Sequence, residues 1–158
     1  MAITVELEIK RNFDVDCPFD KVFDVLADVP YSVSHFPKVE RLVDLGENTY
    51  RWEMEKIGVQ KYHIQTIYAC KYIANKEEGT IEWHPVEGEG NALVKGRWKL
   101  LGFNGDTNID FYTYGKLTVP LPGFLKMVIA PVVTNEFNSL VDQYIENLKQ
   151  TFAKKAQE

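Results

Sequence analysis

The apolar residues near the C-terminus recur at helical spacing: Val133, Phe137, Leu140, Val141, Tyr144, Ile145, Leu148 and Phe152. Steps of three and four place them on one side of a single long helix, running from about Gly123 to Phe152. A stripe of that length needs a surface to cover it. The chain before it supplies one, because past its first quarter the pattern alternates with the period of strands. A long helix after a run of antiparallel strands has the concave face of their sheet as its partner. A curved sheet gripping one helix leaves a space between the two, and a function is expected there rather than at a catalytic motif.

The chain is expected to form one domain over residues 1–158, long enough to bury a core without disulfide staples. The net charge of −5 argues against a nucleic-acid footprint and against a permanent hold on an anionic membrane. No run reaches the length of a transmembrane span. The start, Met1-Ala2-Ile3-Thr4-Val5-Glu6, alternates and lacks the basic head and apolar centre of a signal peptide. Cys17 and Cys70 are far apart with no CxxC, so two free thiols in the cytoplasm are expected.

Residues 3–13 alternate as a half-buried strand. The period then changes. Phe19, Val22, Phe23 and Leu26 make a helical stripe, with Asp16 as the expected N-cap, Pro18 in the first turn and Pro30 as the stop. Residues 31–36 read as a second short helix closed by Pro37. Strands follow at 39–45, 49–57, 61–73 and 80–84, the last ended by Pro85. A hairpin of residues 91–102 and 107–119 closes around Asn104-Gly105-Asp106. Pro120 and Pro122 break the ladder, and Pro131 sits near the start of the terminal helix or kinks it. The expected fold class is α+β: a curved antiparallel sheet of about seven strands wrapped around a long C-terminal helix, with two short helices between strands 1 and 2.

The segment Phe13-Asp14-Val15-Asp16-Cys17-Pro18-Phe19-Asp20-Lys21-Val22-Phe23-Asp24-Val25-Leu26-Ala27-Asp28-Val29-Pro30-Tyr31 and the following His35-Phe36-Pro37-Lys38-Val39 resemble the START/Bet v1-like (SRPBCC) superfamily. There a first strand ends in an apolar-x-apolar-x-x-Pro sequence, followed by a short helix and a Phe-Pro turn. Phe137, Leu140, Tyr144, Leu148 and Lys149 are similar to the family's closing helix. The resemblance spans nearly the whole chain and leans towards polyketide cyclase/dehydrase, lipid-transport and quinone-chaperone members. It implies a helix-grip fold with an internal pocket, and it implies no particular reaction.

Counting by twos gives the expected pocket walls. Tyr50, Trp52 and Met54 share a face, as do Tyr62, Ile64, Thr66 and Tyr68. Val94, Gly96, Trp98 and Leu100 share another, and so do Ile109, Phe111, Thr113, Gly115 and Leu117. Met127, Val133, Thr134 and Phe137 are assigned to the same cavity from the helix side. The ligand-binding candidates are therefore Tyr50, Trp52, Met54, Tyr62, Ile64, Thr66, Tyr68, Val94, Trp98, Phe111, Thr113, Leu117, Met127, Val133, Thr134 and Phe137. Such a wall suits a bulky apolar ligand with one or two polar groups. The alternative is a fully packed core. Gly96 and Gly115, in mid-strand, mark bends first and room for a ligand second.

Acid–base chemistry would need a carboxylate or histidine inside. Glu53, Glu55, Glu82 and Asp110 fall on outward faces, as do Arg51 and Arg97, while Glu136 and Asp142 lie off the helix stripe. A register slip would bring Glu53 and Arg97 inside as catalytic suspects. His35, His63 and His84 have no metal-ligand spacing. No nucleophile elbow or phosphate loop is present, so no cofactor, metal or catalytic residue is expected. The oily, proline-broken stretch from Leu121 to Val128 is either a buried connection or an exposed mouth. Exposed, it would serve ligand access or a transient membrane contact, with Lys126 near lipid headgroups. The expected partner is a hydrophobic small molecule such as a lipid, an isoprenoid quinone or a polyketide-like aromatic. An aromatase/cyclase or dehydratase and a protein-interaction module of the same fold are the alternatives.

Overall fold

The structure is a computed structural model and describes residues 2–158. The elements in chain order are β1 (Ile3–Val15), α1 (Phe19–Ala27), α2 (Val29–Val33), β2 (Val39–Gly46), β3 (Thr49–Met54), β4 (Ile57–Val59) and β5 (Tyr62–Ile64). They continue with β6 (Ile67–Asn75), β7 (Thr80–Val86), β8 (Ala92–Phe103), β9 (Asp106–Val119) and α3 (Lys126–Ala156). Seven strands form one antiparallel sheet in the order β1-β9-β8-β7-β6-β3-β2, and β4 and β5 make a separate two-stranded hairpin. The fold is α+β, a helix-grip arrangement in which α3 is held by the sheet.

The sheet is most regular at β1, β9 and β8. β1 pairs with β9 without interruption from Ile3↔Val119 to Val15↔Thr107. Alternation sets the inner face: Ile3, Val5 and Ile9 are buried, while the alternating Glu6, Glu8 and Lys10 are exposed. The β8–β9 hairpin turns through Asn104 (φ 52) and Gly105 (φ 84). Two successive positive φ angles match the right-handed twist of the flanking strands, which is why an Asn-Gly pair is selected there. β2, at the opposite edge, is joined to β3 through two register shifts.

Several local expectations are corrected. α1 is preceded by Pro18, with no side-chain cap, so Asp16 does not cap it. Pro30 does not stop α1; it lies in the first turn of α2, where its missing N–H costs nothing. The Asp28 carboxylate caps α2 by accepting from the Tyr31 N–H at 3.3 Å. The strand expected at 61–73 is split. Gln60 takes a positive φ of 56°, the chain folds back as β4–β5, and pairing into the main sheet resumes only at Ile67. The strand at 49–57 accordingly ends at Met54. β7 runs through Pro85 to Val86. Pro131 is inside α3, in its second turn, where only one intrahelical bond is forfeited.

α3 buries Ile129, Val133, Leu140, Val141, Tyr144, Ile145, Leu148 and Phe152. Full burial of side chains this size contributes roughly 1.5–3 kcal/mol each. Polar ties fix the helix from both sides. Arg11, on the inner face of β1, donates from Nε to Asp142 Oδ1 at 2.7 Å and from Nη2 to Asn138 Oδ1 at 3.0 Å. Beyond α2, His35 Nε2 lies 2.6 Å from Thr151 Oγ1, and Asn147 Nδ2 donates to the His35 carbonyl at 2.8 Å.

Candidate ligand cavity

Sheet, α2 and α3 do not close completely on one another. They leave a cavity of about 90 Å³ lined by residues from β1, α1, α2, β3, β6, β7, β8, β9 and α3. The three tryptophans of the chain, Trp52, Trp83 and Trp98, all stand on its wall.

The wall is organised as a closed belt of aromatic contacts. Trp52 meets Phe36 edge-on at 5.3 Å, and Phe36 meets Tyr144 at 4.9 Å. Tyr144 then contacts Trp98 at 5.9 Å, and Trp98 contacts Trp83 at 6.3 Å. Trp83 lies 6.2 Å from Tyr72, whose hydroxyl accepts a hydrogen bond from Trp52 Nε1 at 2.9 Å and so completes the circuit. Phe111 braces the belt against Trp98 at 4.6 Å, and Tyr68 stacks on Trp52 at 5.4 Å. Centroid spacings of this kind are the favoured offset and edge-to-face range. The belt joins β3, β6, β7, β8 and α3 with the turn after α2, so the packed rings frame the cavity.

Glycine makes one part of it. Gly96 pairs with Trp83 across β7 and β8. A Cβ at Gly96 would lie 2.5 Å from the Trp83 ring and would also collide with the Tyr112 carbonyl oxygen. The absent side chain lets the indole lie across β8, so Gly96 serves the close approach of a ring to the backbone, and not the bend or the room for a ligand expected from the sequence.

Polar groups on the wall are few and, Lys116 apart, uncharged. Ser32 Oγ and the Tyr144 hydroxyl are 2.5 Å apart. Thr113 donates to the Lys95 carbonyl at 3.1 Å and receives a long bond from Trp83 Nε1 at 3.4 Å. Burial pushes the hydroxyls of Tyr68, Tyr72 and Tyr144 well above the ordinary tyrosine range, so all three stay protonated. No carboxylate and no histidine lines the cavity among the described residues. Its single charged residue, Lys116, is exposed, in the outward alternation between Gly115 and Leu117. Glu53 is held outside by Arg51 and Arg41, which keep its carboxyl below the usual range, and Arg97 pairs with Asp110 on the same outer surface. No cluster of three metal-ligating side chains occurs among the described residues.

Of the residues assigned to the wall from sequence, Trp52, Thr66, Tyr68, Val94, Trp98, Phe111, Thr113, Leu117 and Phe137 line this cavity. Met54 and Ile64 line instead a second, smaller one of about 10 Å³, which shares Thr66 and Phe137 with the first. Tyr50 is turned against Tyr72 at 6.0 Å, and Tyr62 packs in the β4–β5 hairpin. Val133 is completely buried without reaching the cavity, and Thr134 is half-buried beside it. Met127 is 88% exposed and points away, because the stripe that faces the sheet passes through Ile129 and Val133. The sequence reading missed Trp83, Tyr72, Tyr144, Phe36 and Ser32. Tyr144 was visible in the helix stripe and Phe36 in the Phe-Pro turn. Trp83 is legible only once Gly96 is seen opposite it.

No family model and no curated protein matches the sequence. Solved structures do match. A protein from Thermus thermophilus superposes with TM-score 0.68 at 14% identity, over 94% of this chain and 98% of its own. The Zhui aromatase/cyclase from a Streptomyces species gives TM-score 0.61 at 16% identity, covering 96% and 94% respectively. A START superfamily protein from Mycobacterium smegmatis gives 0.64 at 13% identity, covering 93% and 97%. The chain has the START/Bet v1-like fold. No helix among the described residues is long and apolar enough to cross a membrane.

Proposed function

We propose that this protein binds a hydrophobic small molecule in the cavity between sheet and α3, as a cytoplasmic carrier or receptor. The observation that carries this reading is the aromatic belt, which frames empty space where a packed core would have none. Protein interiors normally close such gaps, since each forfeits contacts. Apolar lining with a few fixed hydroxyls is the usual make-up of a small-molecule site. The fold supports the reading, because START-like proteins and an aromatase/cyclase have the same architecture. Two buried, unpaired thiols fit a reducing compartment.

Size narrows the ligand. Pockets for drug-sized molecules measure roughly 300–1,000 Å³. Of the lipid, isoprenoid quinone and polyketide-like aromatic considered from sequence, a compact aromatic suits 90 Å³ best. A long chain would require α3 or the β4–β5 hairpin to move outwards. Binding would rest on burial: hiding about 200 Å² of apolar surface gains roughly 5 kcal/mol before association costs.

Native mass spectrometry of gently purified protein, followed by solvent extraction, tests the proposal. A stoichiometric apolar adduct, lost on denaturation, is the expected result. Protein that stays empty after incubation with compact aromatics would overturn it.

A further inference from the structure

The wall contains two hydroxyls that the fold leaves without partners. Every fully enclosed side-chain nitrogen and oxygen among the described residues has a hydrogen-bond partner. Tyr144 shares its hydroxyl with Ser32, Thr113 donates to the Lys95 carbonyl, and Tyr72 accepts from the Trp52 indole N–H. The hydroxyls of Tyr68 and Thr66 have no protein partner, although the two residues are only 8% and 6% exposed. Both residues line the cavity, and since no fully enclosed oxygen lacks a partner, each of these hydroxyls reaches open space. The Tyr68 ring is packed against Trp52 with an interplanar angle of 18°.

We infer that the cavity selects a compact, uncharged ring molecule carrying a carbonyl oxygen, which accepts the hydrogen bond of Tyr68 beside Thr66. This rests on the cavity reading above and specifies its ligand. A phenol that stays protonated is a better donor than acceptor, so the complementary ligand atom is an acceptor. A buried donor left unmet is costly, which makes a matching acceptor discriminating. Charge is excluded by the same wall. A carboxylate would lose its hydration against indole and phenyl rings, and the one cation on the lining, Lys116, is exposed on the outward alternation. The ligand's body would lie within the aromatic belt, and its carbonyl would point to the Thr66–Tyr68 end of β6.

The test uses three one-ring probes of similar size: acetophenone, cumene and benzoate. Affinities are followed through the three indole N–H signals in NMR spectra, since every tryptophan stands on the wall. Acetophenone and cumene are expected to bind the wild-type protein, and benzoate to bind at least tenfold more weakly than acetophenone. Tyr68→Phe, which keeps the ring and its stack, should weaken acetophenone about tenfold and leave cumene within about twofold. Thr66→Val provides a second variant, with a smaller loss confined to acetophenone. If Tyr68→Phe changes both probes equally or neither, the carbonyl inference is wrong while the cavity reading stands. Benzoate binding as tightly as acetophenone overturns the selection against charge. Failure of all three probes on the wild-type protein overturns the cavity reading and the inference together.

Discussion

The two ends of α3 obey different rules although both are rich in apolar residues. Between Leu140 and Phe152 the apolar positions form one buried stripe, and Asp142, Gln143 and Glu146 face water. In the first turns, Ile129 and Val133 are buried, but Met127, Val128 and Val132 lie outside that stripe and are exposed at 88%, 41% and 38%. Phe124, just before the helix, is 79% exposed. Within the stretch from Leu121 to Val128, Phe124, Met127 and Val128 thus form an exposed shoulder, while Leu125 is buried and Leu121 packs against the core. Helical spacing identifies the face that meets the sheet. Apolar residues off that face are a surface, and only their position relative to the sheet reveals it.

The sharpest way to break this contrast is to truncate at each end. Phe152→Ala should cost about 3–5 kcal/mol in denaturant unfolding, as a fully buried ring is replaced by a void. A cost near zero would mean the stripe does not carry the fold. Gly96→Ala comes next, at about 1–3 kcal/mol, because the methyl group meets both the Trp83 indole and the Tyr112 carbonyl. Its fluorescence spectrum should shift as Trp83 is displaced, and an unchanged spectrum would deny the close approach. Tyr144→Phe leaves Ser32 without its partner and should cost about 1 kcal/mol or more.

Alkali acts on the same end. Tyr68, Tyr72 and Tyr144 are held protonated by burial, so their folded pKa values exceed the unfolded value of about 10. Raised values mean that stability is complete below that pH and falls as pH rises through it, because only the unfolded chain ionises these groups. A spectrophotometric titration should show three tyrosines that ionise only on unfolding. Burial likewise pushes the Cys70 thiol to about 12, so labelling of native protein at about pH 8 should be very slow. The smallest effect is expected at the shoulder: Met127→Ser should change stability by no more than about 0.5 kcal/mol. A larger loss would show that the shoulder is packed against something in solution.

The same contrast explains what was legible in the sequence. Alternation in β1, β8 and β9 and the Asn-Gly turn specified long paired strands, and the inner faces of Trp98, Phe111 and Leu117 followed directly. The period failed where the chain interrupts itself. A turn at Gly58-Val59, close to Gln60, is read from the sequence, but no pattern announces the breaks at 55–56 and 65–66 that detach β4–β5 from the main sheet and remove Tyr62 and Ile64 from the main wall. Met127 was misplaced because counting along a helix does not say which apolar neighbour faces the sheet. Trp83 and Tyr72 were missed because their roles depend on pairs across strands: Gly96 opposite one, the Trp52 indole N–H on the other.

The most direct measurement is a crystal structure of the protein grown with bromobenzene, read from the anomalous signal of the bromine. The expected result is one bromine peak inside the aromatic belt, between Trp52, Trp98 and Tyr144. Bromine found only against Phe124 and Met127 would contradict the account, and would make the exposed shoulder, not the space beneath α3, the place where this fold meets its ligand.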